Sequence, residues 1–153
     1  MIEINSIEDL DDVRNDLSES YILMKDLDFD SDDSYDDPSN KTTYTTGNGF
    51  NPIGISSPYF TGIFDGNNKT IKNLFIDRDT TDYVGLFGQA LQKAEIKNLT
   101  VEDADVTGND YSGILVGGLT GTVKNCDTTG TMTGDTSIGG IVGYSEGVIY
   151  KST

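Results

Sequence analysis

Ile71-Lys72-Asn73-Leu74 decides the reading of this chain, because it returns as Ile96-Lys97-Asn98-Leu99, as Val123-Lys124-Asn125-Cys126 and, degraded, as Ile149-Tyr150-Lys151-Ser152. The intervals are 25, 27 and 26 residues. Between the copies runs a second recurrence: Gly85-Leu86-Phe87-Gly88, Gly118-Leu119-Thr120-Gly121 and Gly140-Ile141-Val142-Gly143. Each period therefore holds two short apolar segments divided by turn residues. One such unit cannot bury its own apolar face and must stack on a neighbour, so the period predicts a solenoid of short strands. The expected fold class is all-β, a parallel β-helix (β-solenoid) of about four coils with a short N-terminal capping helix.

In a parallel stack, equivalent residues of successive coils sit about 4.8 Å apart, so inward positions must be apolar and every corner must bend. Asn73, Asn98 and Asn125 are expected to form a side-chain amide ladder, and Gly85, Gly118 and Gly140 to relieve crowding between coils. Cys126 occupies the ladder position of Leu74 and Leu99, which reads as a small buried hydrophobe rather than a reactive thiol. As the single cysteine it allows no intrachain disulfide.

Residues 1–20 read as a strand and a cap. Ile2 and Ile4 alternate with polar residues; Ser6 then stands where a helix N-cap belongs, and Ile7, Leu10, Val13 and Leu17 follow at helical spacing. A helix there would cover the open end of the core. Residues 21–153 read as the coils, with an acidic and polar loop over 31–48. The chain stops in mid-repeat, which reads as a truncated boundary. The strands near 138–142 and 148–150 would then present an open edge, and end-to-end self-association is expected.

Of 153 residues, 35% are hydrophobic and none is Trp, enough for the thin core of a stacked coil. The net charge of −16 opposes long-range attraction to nucleic acid or anionic membranes. Residues 1–37 hold 14 acidic side chains against Arg14 and Lys25, so most of that charge belongs to the N-terminal segment.

The sequence contains no His, which excludes a Ser-His-Asp triad, a Cys-His pair and a His-Glu-x-x-His zinc motif. A polysaccharide-active enzyme using clustered carboxylates such as Asp77, Asp79 and Asp82 remains a less favoured alternative. No catalytic residue is assigned. Asp26, Asp28 and Asp30 share one face of a strand, and Asp32 and Asp33 follow in the loop, supplying the hard oxygens that calcium prefers. The spacing fails the twelve-residue helix-loop-helix pattern, so a solvated acidic face and a calcium site at Asp26, Asp28, Asp30, Asp32 and Asp33 both stand open. Tyr35, Tyr44 and Tyr59 are the candidate ligand-binding aromatics.

Several segments, in order, resemble one family. Tyr21-Ile22-Leu23 with Asp26-Leu27-Asp28, Pro52-Ile53-Gly54, Phe60-Thr61-Gly62-Ile63-Phe64-Asp65-Gly66-Asn67, Val84-Gly85-Leu86-Phe87-Gly88 and the later Gly-Ile-Val-Gly unit are similar to the GLUG-repeat proteins, named for a Gly-Leu-aromatic-Gly motif. The resemblance spans nearly the whole chain. It implies a parallel β-helix within large bacterial or archaeal surface and secreted proteins, commonly adhesin-like. It also extends to the non-catalytic part of some immunoglobulin-A metallopeptidases. Together with the residues, it implies a non-catalytic module of an extracellular or cell-surface adhesin, acting as stalk or recognition surface. The partner would be a host or neighbouring-cell surface protein or glycan. The competing expectation is a carbohydrate- or protein-binding module with a calcium-stabilised loop.

Overall fold

The computed structural model describes residues 1–32, 44 and 47–153. Thirteen strands and one short helical segment are described: β1 (Ile2–Ile4), α1 (Ile7–Asp11) continuing as a 3-10 turn (Asp12–Asn15), β2 (Ser20–Leu23), β3 (Leu27–Asp28), β4 (Ile63–Lys72), β5 (Phe75–Asp77), β6 (Phe87–Ala90), β7 (Glu95–Thr107), β8 (Ser112–Gly113), β9 (Val116–Leu119), β10 (Thr122–Thr133), β11 (Ile138–Gly139), β12 (Val142–Ser145) and β13 (Val148–Tyr150). Every pairing between these strands is parallel. Three sheets result: a large one in the order β1-β2-β4-β7-β10-β13 with β3 and β5 on its flank, a second in the order β12-β9-β6, and the pair β11-β8. This is the expected β-solenoid, with about three turns rather than four.

The register explains the core. Ile2, Tyr21, Phe64, Ile96, Val123 and Ile149 form one continuous column across the large sheet. The four central members are almost fully buried, whereas Ile2 and Ile149 at the two ends are 47% and 45% exposed. Phe60, Phe64 and Phe87 meet inside the coil, with ring centroids 4.8 Å and 5.3 Å apart. Aromatic pairs at such distances add to the stabilisation from burial.

Along β7 the buried residues are Ile96, Leu99, Val101, Ala104 and Val106. The strict alternation of a strand breaks at Asn98 and Asp103, whose φ values are 55° and 54°. A left-handed residue turns the strand through a corner, and Asn and Asp tolerate that conformation better than most side chains. Long strands therefore wrap two corners without ending.

Two register expectations are corrected. Ile71-Lys72 pairs with Val101-Glu102, not with Ile96-Lys97. The true counterpart of Ile96 is Phe64 in the same sheet, and Ile71 belongs to the same turn as Phe64, which is why the four-copy count overstates the turns. Asn73, with φ 60°, stands at the corner of Asp103 and donates to Asp28 at 2.8 Å, leaving Asn125 to Asn98 at 3.1 Å as the amide rung. Both corners follow the pattern apolar, charged, left-handed, apolar, so one tetrapeptide signature marks two different places.

The second correction concerns the glycine unit. Leu86 and Phe87 donate to the carbonyls of Ile114 and Leu115, and Leu115 donates to Ile141. The copy of Gly85-Leu86-Phe87-Gly88 is thus Gly113-Ile114-Leu115-Val116-Gly117, one residue longer, while Gly118-Leu119 lies opposite Gln89-Ala90.

At the N-terminus the Ser6 hydroxyl accepts from the Asp9 amide at 3.1 Å, and Asp9 Oδ2 accepts from the Asn5 amide at 2.9 Å. Ile7, Leu10 and Val13 are fully buried, so α1 and the 3-10 turn close the first coil as expected. The helical segment ends at Asn15 rather than Leu17.

Candidate functional site

The cap and the first coil enclose a depression. Residues 14–18 approach 51–61, forming two adjoining clefts of about 350 Å³ each that share Arg14, Asn15, Leu17 and Pro58. Asn51, Ser56 and Ser57 line one; Asp16, Ser18, Tyr59 and Thr61 line the other. Arg14 is held in place. Its Nε and Nη2 donate to Asp11 Oδ1 at 2.9 and 2.6 Å, Nη2 also donates to the Asn51 carbonyl at 2.8 Å, and the guanidinium lies 5.4 Å from the centroid of the Phe50 ring. A planar donor pinned on an aromatic face is pre-organised for recognising oxygen acceptors.

Of the expected aromatics, the structure brings only Tyr59 to this groove, half-buried at its wall. Tyr44 is half-buried and packs against the core, its ring 5.6 Å from that of Phe50. Tyr35 lies outside the described residues. Arg14, Asn15 and Asn51 were not singled out in the sequence. No local pattern marks them, because the groove forms only when segments nearly forty residues apart meet.

The acidic candidates are distributed rather than convergent. Asp26 Oδ1 accepts from the Thr70 amide at 2.8 Å, Asp28 Oδ1 from Asn73 Nδ2 at 2.8 Å and the Asp30 amide at 2.9 Å, and Asp32 Oδ2 from the Ile7 amide at 3.1 Å. Asp30 is exposed, and Asp33 lies outside the described residues. Among the described residues no group of three or more His, Cys, Asp or Glu is placed to hold a metal ion. Burial raises the pKa of Asp28, but hydrogen bonds from Asn73, Asp30 and Ser31 and the charge of Lys72 outweigh it and hold the carboxyl below its ordinary value. These carboxylates tie strands and cap together.

Asp82, one of the carboxylates weighed for catalysis, accepts from Asn109 Nδ2 at 2.8 Å and the Asp110 amide at 3.1 Å, a rung between coils. Among the described residues no acceptor meets the buried Nε of Arg78, and burial and the nearby Arg14 lower the pKa of its guanidinium. Cys126 is fully buried, and burial pushes its thiol up to about 11. A protonated, enclosed thiol is no nucleophile.

A further aromatic array was missed in the sequence. The rings of Tyr83 and Tyr111 stack at 5.0 Å, and Tyr144 meets Tyr111 edge-on at 5.7 Å. Tyr83 and Tyr111 occupy left-handed corners, with φ 59° and 56°. Their ring faces are turned to one another, so this array is a ladder between coils rather than a platform for a ligand.

The chain is similar to halomucin. It is 37% identical to this protein of Haloquadratum walsbyi over 150 residues, 94% of its own length. It is also 36% identical over 114 residues, 73% of its length, to a putative Gly-rich membrane protein of Evansella cellulosilytica. It spans only 2% and 12% of those two relatives. No family model and no solved structure matches the chain. No helix among the described residues is long and apolar enough to cross a membrane.

Proposed function

We propose that this chain is a non-catalytic repeat module of a cell-surface or secreted protein, serving as stalk or recognition surface. The observation that carries the reading is the similarity to halomucin, which runs through 94% of the chain, cap and coils alike. A relative about fifty times longer is what a stackable module serves, since each coil adds length without needing a new core. The Gly-Leu-Phe-Gly resemblance to the GLUG-repeat proteins supports an adhesin-like setting and an extracellular location. The interior of the coil is filled by side chains, which suits a load-bearing rod. Antibody raised against the chain should label intact cells of its source. Labelling that appears only after permeabilisation would refute the surface placement.

One observation favours a recognition role over a plain spacer: the groove of Arg14, Asn15, Asn51 and Tyr59, which offers planar polar groups beside an aromatic edge. Its partner would be a neutral glycan or a protein loop, as the net charge of −16 disfavours polyanions. A glycan array separates the two readings, because a spacer gives no selective signal. Selective binding lost in Tyr59→Ala and Asn51→Ala would establish the groove as the recognition surface.

A further inference from the structure

Three Asn-x-Thr tripeptides occur in the chain: Asn40-Lys41-Thr42, Asn68-Lys69-Thr70 and Asn98-Leu99-Thr100. Such a tripeptide is an acceptor for N-glycosylation when it stands exposed on an exported protein. The motif is short and common, so its placement must decide. Asn40 lies outside the described residues. The other two occupy the same corner of successive coils, and the fold treats them differently.

Asn98 is built into the wall. Its Nδ2 donates to Asp65 Oδ1 at 3.1 Å, and its Oδ1 accepts from Asn125 Nδ2 at 3.1 Å. The next residue, Leu99, is buried in the core. An enzyme that seizes Asn98 must break both rungs and lift Leu99 out of the coil.

Asn68 stands clear of that ladder. β4 pairs with β7 at Asp65–Lys97 and resumes at Lys69–Leu99, so Gly66, Asn67 and Asn68 stand opposite the single residue Asn98. The extra residues form a bulge through left-handed Asn67 and Asn68, with φ 52° and 57°. Asn67 anchors it, its Nδ2 donating to the Leu23 carbonyl at 3.1 Å and its amide to Asp65 Oδ1 at 2.8 Å. Asn68 is exposed, and neither its amide group nor the Thr70 hydroxyl makes a hydrogen bond among the described residues.

We infer that Asn68 is an N-glycosylation site and that the fold withholds Asn98. The inference rests on the surface or secreted placement proposed above, because this modification belongs to exported chains. The donor would be an oligosaccharide on a lipid phosphate. Asn68 Nδ2 attacks its anomeric carbon and the C–N bond forms. The bond from that carbon to the phosphate oxygen breaks, the lipid phosphate leaves with the electron pair, and the amide loses one proton to the transferring enzyme. The glycan would project from the side of the rod, where it leaves the stacking of coils undisturbed.

The purified folded chain, incubated with an oligosaccharyltransferase of Asn-x-Ser/Thr specificity and a lipid-linked oligosaccharide of known mass, tests this wherever the protein resides. Trypsin separates the three tripeptides into residues 26–41, 42–69 and 98–124. One glycan is expected on 42–69 and none on 98–124. Asn68→Asp and Thr70→Val should abolish it, and Thr70→Ser should retain it. Asp103 adopts the same left-handed conformation, so the first variant keeps the bulge. A free peptide of residues 94–104 should be modified at Asn98, showing that the fold and not the tripeptide protects it. The proposal is overturned if folded chain is modified at Asn98 as fast as at Asn68. It is equally overturned if Asn68 stays bare while a free peptide of residues 64–74 is modified. Protein recovered from the surface of its source cells should carry the glycan on 42–69. Surface protein bare at Asn68 overturns the site and leaves the surface placement standing; chain found only inside cells overturns both.

Discussion

Gly117 and Gly118 are adjacent, buried and outside the left-handed region, yet they should respond very differently to an added methyl group. A Cβ on Gly117 would lie 2.5 and 2.6 Å from the carbonyl carbon and Cα of Tyr83 and 2.7 Å from the Gly88 carbonyl oxygen. These are backbone atoms of the neighbouring coil. Ordinary contact needs about 3.5 Å, so the coils would have to part by about 1 Å against a pairing that spans the whole sheet. Overpacking of this kind costs about 1–3 kcal/mol. The nearest neighbours of a Cβ on Gly118 are side-chain atoms, the Tyr83 ring at 2.9 and 3.0 Å and Gln89 Cγ at 3.6 Å. The ring can swing, and the same register holds Gln89 and Tyr144 in the neighbouring coils, so a side chain is tolerated there. Loss of glycine's freedom in the unfolded chain returns about 0.4–1 kcal/mol at either site. Gly118→Ala is thus expected within about 1 kcal/mol of wild type. Gly117→Ala, with a net loss of about 0.6–2.6 kcal/mol, should lower the melting temperature by roughly 1–10 °C, at about 2–4 °C per kcal/mol for a chain of this size. Thermal unfolding followed by circular dichroism, with urea titration for the free energies, reads both. Equal losses, or a larger loss at Gly118, would refute the assignment of Gly117 rather than Gly118 to the crowded coil position. The two corresponding positions, Gly88 and Gly143, should behave like Gly117, since a Cβ there meets backbone at 2.5 and 2.4 Å.

Asp28 has a folded pKa held below its ordinary value of 3.8, so its contribution is present above that value and disappears as pH falls through the lowered folded value. The stability gap between wild type and Asp28→Asn should be constant from pH 5 to 8 and close in acid; a gap that persists fully at the lowest pH would show that the carboxylate's charge is not what matters. Cys126, with its thiol pushed up to about 11, should resist alkylation at pH 8 in the folded protein and react fully in denaturant, as mass spectrometry will show. Rapid native labelling would place it at the surface. For calcium, the described carboxylates of Asp26, Asp28 and Asp32 already accept from amides, so calcium and magnesium should raise the melting temperature equally at matched ionic strength. A selective calcium effect, lost in Asp30→Asn, would instead establish the ion site.

The sequence by itself determined the architecture. A two-segment period of about 26 residues, rich in Gly and Asn, has few ways to bury its apolar positions other than stacking, and that alone implies a parallel coil. It also determined the cap, because Ser6 and the stripe from Ile7 to Val13 carry their own local signature. Tertiary structure alone decided the register. Ile71-Lys72-Asn73-Leu74 and Ile96-Lys97-Asn98-Leu99 read alike because every corner needs an apolar residue, a solvated one and a left-handed one, so similar words mark different corners. Which corner stacks on which depends on hydrogen bonds summed along whole strands, and the shift between Asp65 and Lys69 moved that register without altering the motif. The groove of Arg14, Asn51 and Tyr59 was equally hidden, since nothing local joins segments that meet only when the cap seats on the first coil. The apolar outward face of β13 was written in the residues, but only pairing with Thr122 and Lys124 shows that Val148 and Tyr150 point away from the core.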